Sequence, residues 1–488
     1  MYSKHLFTSI LVVTLLSCLS LATAQWTQVE VGIDYQEFTL SDPNELFVTR
    51  MDRSNTSCII DSCIGAGKLE SGREPVSSMA SRYNDIIGYW GQQWGDRYDV
   101  VSAINGAGFS YTTDLPTGGQ IMSGWYAKRF DEFGGGGFVW KLNRSVFIGE
   151  CVRHINSKNK ISYPATGSDQ NINGINTAPG TDELIIFTPQ YGKDTNTDSS
   201  VDEVLVELTR PLLIMPTPNY VTGYVREINE GVGSTLIPFD HVVLSANGAA
   251  ATKLISNVSI GDEVRISQEI THYKEDCSTP NAGDYTKTYC SIGYMTFIFL
   301  KDGVVQTFTN PGANIRNPRT AVAYNDDYIF FIVCDGRSTA SVGMTMTELG
   351  NFCKDQLGAT WGINQDGGGS STMWVNGAVK NTPSDGSERW VANGLMMIKV
   401  QTKDQSTDFA TDDPVTVSNS TSLLLGPGTN YSGITTVSTG QEGTIVDHSL
   451  NGVFAKGKYW WKASFTGQEG WIAQDKINLT QVRDWEMY

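Results

Sequence analysis

Between residues 328 and 372 the sequence prescribes a strand, a helix and a returning strand, and both strands run into acidic, glycine-rich turns. Tyr328 to Val333, within DDYIFFIVCDGR, is a continuous apolar run of the kind that forms a strand buried on both faces. It ends at Asp335-Gly336-Arg337. TMTELGNFCKDQLG follows. Thr345 and Glu348 have capping-box spacing, and Leu349, Phe352, Cys353 and Leu357 make one apolar face. Gly358 suits the position just past a helix end. ATWGIN then returns as a strand into Asp366. Read as a βαβ unit, this predicts parallel strands and a right-handed crossover, so both strands finish on one sheet edge. Ligands in such sheets bind beyond the carboxyl ends of the strands. With the strands adjacent or one apart, the two acidic turns begin roughly 5–10 Å from each other.

The second turn is Asp366-Gly367-Gly368-Gly369-Ser370-Ser371-Thr372, followed directly by Met373-Trp374-Val375. Glycines let backbone approach a ligand closely and allow positive φ, and successive free N–H groups make an anion nest. Ser370, Ser371 and Thr372 add hydroxyl donors, so a sugar or a phosphate fits. Arg319, Arg337 and Arg389 are the neighbouring candidates for bidentate oxygen binding. Asp335 and Asp366 can act as acid, base or nucleophile at a sugar carbon. Asn105 ends the strand-like YDVVSAINGAGF and is either a substrate contact or a left-handed turn residue. Against these readings, Asp-Gly is ordinary turn chemistry and arginines often only stabilise a surface.

The rest of the chain sets limits. Lys4, the apolar run to Leu21 and Ala22-Thr23-Ala24 read as a secretory signal peptide cleaved near Ala24, which predicts a secreted, periplasmic or cell-surface protein. No later segment is apolar enough to span a bilayer. Without Lys4 the chain carries 34 basic against 52 acidic side chains, which argues against nucleic acid as a partner. Seven cysteines follow the leader without any Cys-x-x-Cys; Cys277 with Cys290, then Cys58 with Cys63, are the expected disulfides. Histidines are few and lack zinc-hydrolase or serine-hydrolase context, so no cofactor is expected and a metal requirement stays open. Residues 76 to 94 place Met79, Tyr83, Ile86, Ile87, Trp90 and Trp94 at helical spacing and predict an amphipathic helix. Short β-like runs fill the middle of the chain. A polar, acidic linker at 401–417 separates residues 25–400 from a small β-barrel at 418–482, and little contact is expected across it.

Several blocks together resemble the phosphodiester glycosidase family. They are AINGAGF at 103–109, ELIIFTPQYG at 183–192, IPFDHVVLSANG at 237–248, NPRTAVAYNDD at 317–327, CDGR at 334–337, GMTMTEL at 343–349, NQDGGGSSTMWVNG at 364–377 and NTPSDGSERWVANGLM at 381–396. Ala107-Gly108 departs from the family pattern, which more often has an acidic or glycine residue and then aromatics. The tail, with Gly426-Pro427-Gly428, Trp460-Trp461 and Gly470-Trp471-Ile472, resembles a bacterial SH3-like domain of the type used on cell-wall material. The resemblance implies hydrolysis of a sugar-1-phosphodiester at the anomeric carbon, giving free sugar and a phosphomonoester. Asp335 and Asp366 would be catalytic. Asn105, Arg319, Arg337, Arg389 and Gly367 to Thr372 would bind substrate. The expected fold is a mixed α/β (α+β) catalytic domain with a partly parallel sheet, plus the SH3-like barrel. Two other functions remain open: a non-catalytic polysaccharide-binding surface protein, and a glycosidase on unphosphorylated exopolysaccharide.

Overall fold

A computed structural model describes residues 25–83, 86–90, 93–130, 136–150, 152–154, 158–209, 220–268, 270–272, 288–293 and 297–480. The signal-peptide reading falls outside them. The chain is mostly β: 37 strands against four α-helices among the described residues. The mixed α/β expectation is therefore wrong, and the reason is visible in the strand that suggested it. Tyr328–Cys334 is indeed buried on both faces. Ile329, Phe331 and Val333 belong to one apolar cluster with Ile104 and Leu395 of a second sheet, while Phe330, Ile332 and Cys334 belong to another with Leu349, Phe352 and Leu357 of the helix Met346–Leu357. A sheet on one side and a helix on the other give the same apolar run as a parallel sheet between helices.

The pairing is antiparallel. Arg319–Tyr324 lies between Tyr328–Cys334 and Trp361–Asn364 and pairs antiparallel with both. The two flanking strands thus run the same way, one apart, and end on one edge without forming a parallel ladder. Among the described residues the only parallel ladder joins Gly174–Ile175 to Leu184–Phe187. The first sheet continues outward through Asn44–Asp52 on one side and Ile298–Lys301 on the other. The facing sheet is centred on Gln93–Asn105, flanked by Met373–Val375 and Asn393–Gln401. The expected capping box is present, with Glu348 N–H donating to Thr345 Oγ1 at 3.1 Å and Gly358 left-handed at φ 65°.

Other expectations change. The helix at 76–94 stops at Tyr83; Ile86–Trp90 instead pairs with Gln93–Asn105 as a hairpin. β-branched Ile86 and Ile87, with Gly88, favour a strand once a partner is available, and tertiary pairing overrides the helical period. Cys58, Cys63, Cys290, Cys334 and Cys353 are buried thiols, and Cys277 lies outside the described residues. Cys58 and Cys63 share one extended strand, so five residues hold them about 16 Å apart, well beyond disulfide reach. Burial raises their pKa to about 12 and about 11.

Residues 414–479 form their own sheet, beginning with Pro414–Val417 inside the presumed linker. Contact with the rest is not small. Trp460, Trp471 and Val453 share one apolar cluster with Phe239, Val206 and Val242. Beside it, buried Asp240 binds His241 Nδ1 and His448 Nε2, each at 2.7 Å. Leu450 N–H donates to His448 Nδ1 at 3.1 Å, so Nε2 carries the proton. No helix among the described residues is long and apolar enough to cross a membrane.

Candidate functional site

The antiparallel register builds the site. Arg319 stands opposite Cys334 and Ala321 opposite Asn364, so Pro318-Arg319 runs between the Asp335 and Asp366 turns. The second turn stays on this strand: Gln365 N–H donates to Thr320 O at 2.7 Å and Gly368 N–H to Pro318 O at 2.9 Å. Both turns press on Pro318. A Cβ on Gly336 would lie 2.6 Å from Pro318 N, and one on Gly367 2.8 Å from Pro318 O. That close approach is why glycine occupies both positions.

Asn105 joins the two sheets at this edge. It is fully buried; its Nδ2 donates to Asp366 O at 2.7 Å, and its Oδ1 accepts from Thr320 Oγ1 at 2.7 Å and Thr372 N–H at 3.1 Å. Asp366 N–H donates to Gly106 O at 2.9 Å. Asn105 therefore holds the glycine loop from beneath. The loop itself is a tight 3₁₀ turn at Gly368–Ser370 rather than an open nest. The amides of Gly367, Gly368, Ser370, Ser371 and Thr372 all donate within the protein. These amides are thus spent inside the protein, and the expected anion nest is not formed by them. Ser371 Oγ, Thr372 Oγ1 and the Gln365 side-chain amide are buried without a protein partner, a pattern that calls for ordered water or a ligand.

The two carboxylates differ. Asp335 is buried and engaged at both oxygens: Asn381 Nδ2 donates to Oδ1 and Thr382 N–H to Oδ2, both at 2.9 Å. Asp366 is partly exposed, and its Oδ1 accepts from Gly367 N–H at 3.0 Å. Burial raises the pKa of each. For Asp335 this outweighs the Asn381 and Thr382 bonds; for Asp366 it outweighs the Ser370 hydroxyl, the Arg389 charge and the Gly367 amide.

The arginines are placed unequally. Arg319 is buried, donating to Met344 O at 2.8 Å, Gly312 O at 2.9 Å and Ile315 O at 2.6 Å; burial lowers its pKa to about 10. It clamps loops. Arg337 is exposed, with φ 64°, and its guanidinium lies over Gly368. Arg389 pairs with Asp385 at 2.6 Å and reaches Ser370 Oγ at 3.3 Å. Sequence reasoning missed Asn381, whose Nδ2 also donates to Ser371 O at 3.0 Å and whose Oδ1 accepts Met373 N–H at 2.8 Å. The turn-forming run Asn381-Thr382-Pro383-Ser384-Asp385-Gly386 was its available signal. Among the described residues, a group of donors that could hold a metal is Glu207, Asp240 and His448, in the contact with the C-terminal module. Arg226 and Lys462 already neutralise Glu207 there.

Comparison with known proteins finds a family match over part of the chain. Residues 220–398 match the family model for phosphodiester glycosidase, which supports hydrolysis of glycosyl phosphodiesters in general. The match stops short of the C-terminal module. An SPbeta prophage-derived uncharacterized protein, YomE, of Bacillus subtilis is 34% identical over 96 residues, 20% of this chain and 15% of that protein. A hypothetical protein from Synechocystis shares the fold, with a TM-score of 0.52 at 15% identity over 77% of this chain and 64% of that one. The zebrafish N-acetylglucosamine-1-phosphodiester α-N-acetylglucosaminidase catalytic domain, auto-inhibited by its pro-peptide, aligns weakly, with a TM-score of 0.34 at 13% identity over 75% of this chain and 81% of that one.

Proposed function

We propose that this chain hydrolyses a sugar-1-phosphodiester at the anomeric carbon. Water adds to that carbon, its bond to the phosphate oxygen breaks, and free sugar and a phosphomonoester leave. The observation that carries the reading is the meeting of Asp335, Asp366 and the exposed Arg337 at one sheet edge, around a loop with unpartnered hydroxyls. Asp366 is the acting carboxylate, because it is the more exposed of the two; it takes the proton of the attacking water. Asp335 and Asn381 are positioning residues that hold the loop. Arg337, with Arg389, takes the phosphate charge, while Arg319 keeps the loops in register. A phosphate leaves readily as an anion, so no strong acid is required. The leader would place this activity outside the cytosol, and the C-terminal module would hold the enzyme on glycan material.

The test is kcat/KM on an aryl sugar-1-phosphodiester and on a neutral aryl glycoside. Asp366→Asn should lower turnover at least about a hundredfold. Arg337→Lys keeps charge but loses the planar fork, so it should weaken the phosphodiester more than the glycoside. Equal losses would move the reading to unphosphorylated glycan. An active Asp366→Asn protein would remove Asp366 from the chemistry, and no turnover in the wild type would leave a binding protein.

A further inference from the structure

We infer that the mouth of this site extends into a second sugar-binding subsite, formed by Trp390 and Tyr111 around Arg73, which takes an additional ring of an oligosaccharide substrate. It rests on the proposed hydrolysis only in taking the bound saccharide as the substrate. Trp390 is 60% exposed and Tyr111 66% exposed, and both belong to segments that build the glycine-loop edge. Trp390 follows Arg389, which reaches Ser370. Val391 exchanges two backbone hydrogen bonds with Glu74, each 3.0 Å, which sets Arg73 on the order of 10 Å from Trp390 by strand geometry. Arg73 lies 5.1 Å from the ring centroids of both Phe109 and Tyr111, whose rings are 4.9 Å apart. Phe109 comes three residues after Gly106, the residue that accepts the Asp366 amide.

This rim is preformed. Ser110 N–H donates to Leu115 O at 3.0 Å, and Thr117 N–H to Gly108 O at 2.8 Å. Arg73 is anchored on Asp114 at 2.8 Å. Two large aromatic rings exposed on ordered backbone, on segments that lead to the glycine loop and with an ion pair between them, present a recognition surface rather than core packing. A pyranose matches it: the flat C–H face covers an aromatic ring, and the hydroxyl rim meets the fixed Arg73 donor and Asp114 acceptor. A purely apolar group would cover the rings but leave that ion pair unused.

The test uses the intact chain, Trp390→Ala, Tyr111→Ala and Trp390→Phe. Hydrolysis is compared between a sugar-1-phosphodiester with one sugar ring and one carrying a tri- or tetrasaccharide. Each alanine variant should lower the ratio of kcat/KM, oligosaccharide over monosaccharide, about tenfold, and Trp390→Phe should restore most of it; aromatic stacking of this size is worth about 1–1.5 kcal/mol. In parallel, calorimetry measures binding of neutral, amino and acidic oligosaccharides that carry no phosphate. Binding by the wild type that Trp390→Ala abolishes, with no hydrolysis of any substrate, keeps the subsite and removes the hydrolase. An unchanged ratio, or no binding that depends on Trp390 in an otherwise active enzyme or an inactive one, overturns the subsite.

Discussion

Asp366 and Asp335 sit a few bonds apart in the same network, yet substitution should separate them. Burial raises both pKa values, so the folded chain holds these protons more tightly than the unfolded chain does. Their stabilising contribution is full below the ordinary aspartate range near 4 and is lost as pH rises through the raised values. An ionised carboxylate at either position carries a desolvation cost. Asp366→Asn should therefore keep or raise Tm while removing turnover. Asp335→Asn places an amide N–H₂ against Asn381 Nδ2 or Thr382 N–H, and should lower stability by roughly 1–3 kcal/mol. Thermal melts of the two variants check this, and matching Tm changes would contradict it. The acidic limb of kcat/KM should lie above the usual carboxylate range, since activity needs Asp366 ionised. Residue type and order announced the two acidic turns on one edge; the glycine run was read as an approach to a ligand, and the close approach found is to the Pro318 backbone. What residue type does not carry is the choice of partner. Arg319 looked like an anion ligand, but three backbone carbonyls from 312, 315 and 344 surround it, and no local pattern announces them.

Elements bounded by their own neighbours were legible, and elements chosen by distant partners were not. The helix Met346–Leu357 has its start and stop written into Thr345, Glu348 and Gly358. The segment after Tyr83 does not; it pairs with the strand Gln93–Asn105, whose place is fixed in turn by residues 393–401. The direction of the Asp335 and Asp366 strands followed from the crossover, whereas the strand inserted between them, Arg319–Tyr324, lies just before the first of them and outside that unit. That insertion gives two positions a shared constraint. Gly336→Ala sets a methyl group against Pro318 backbone, which cannot swing aside, and should destabilise the fold and distort the site together. The nearest atoms that Gly369→Ala would meet are the Arg389 and Asp385 side-chain ends, which can swing aside. It should leave Tm nearly unchanged and raise KM for phosphodiesters several-fold. Melting curves and Michaelis constants for the pair distinguish the two cases, and a Gly369→Ala protein with wild-type KM would remove Arg389 from substrate binding.

The whole molecule is held together by more than its linker. Asp240 joins the main body to the C-terminal module through His448. Burial alone would push its pKa up, but His241, His448 and Lys462 overcome this and hold it well below the ordinary value. The stabilisation is present above the ordinary aspartate range and is lost as pH falls through the depressed value. Asp240→Asn should cost on the order of 3 kcal/mol, as two hydrogen bonds to a buried charge are weakened, and should speed proteolysis between residues 401 and 414. A variant with unaltered Tm and cleavage rate would show the clasp to be idle. The apolar cluster around Trp471 has another consequence, for the order in which the chain can form. A ribosome delivers the sheet carrying Val206 and Val242 more than two hundred residues before Trp471 emerges to cover it. Until those last strands arrive, that apolar face stays open to solvent and to other chains. Closure of this core thus waits until Trp471 has been made, and the open face needs shelter for that interval.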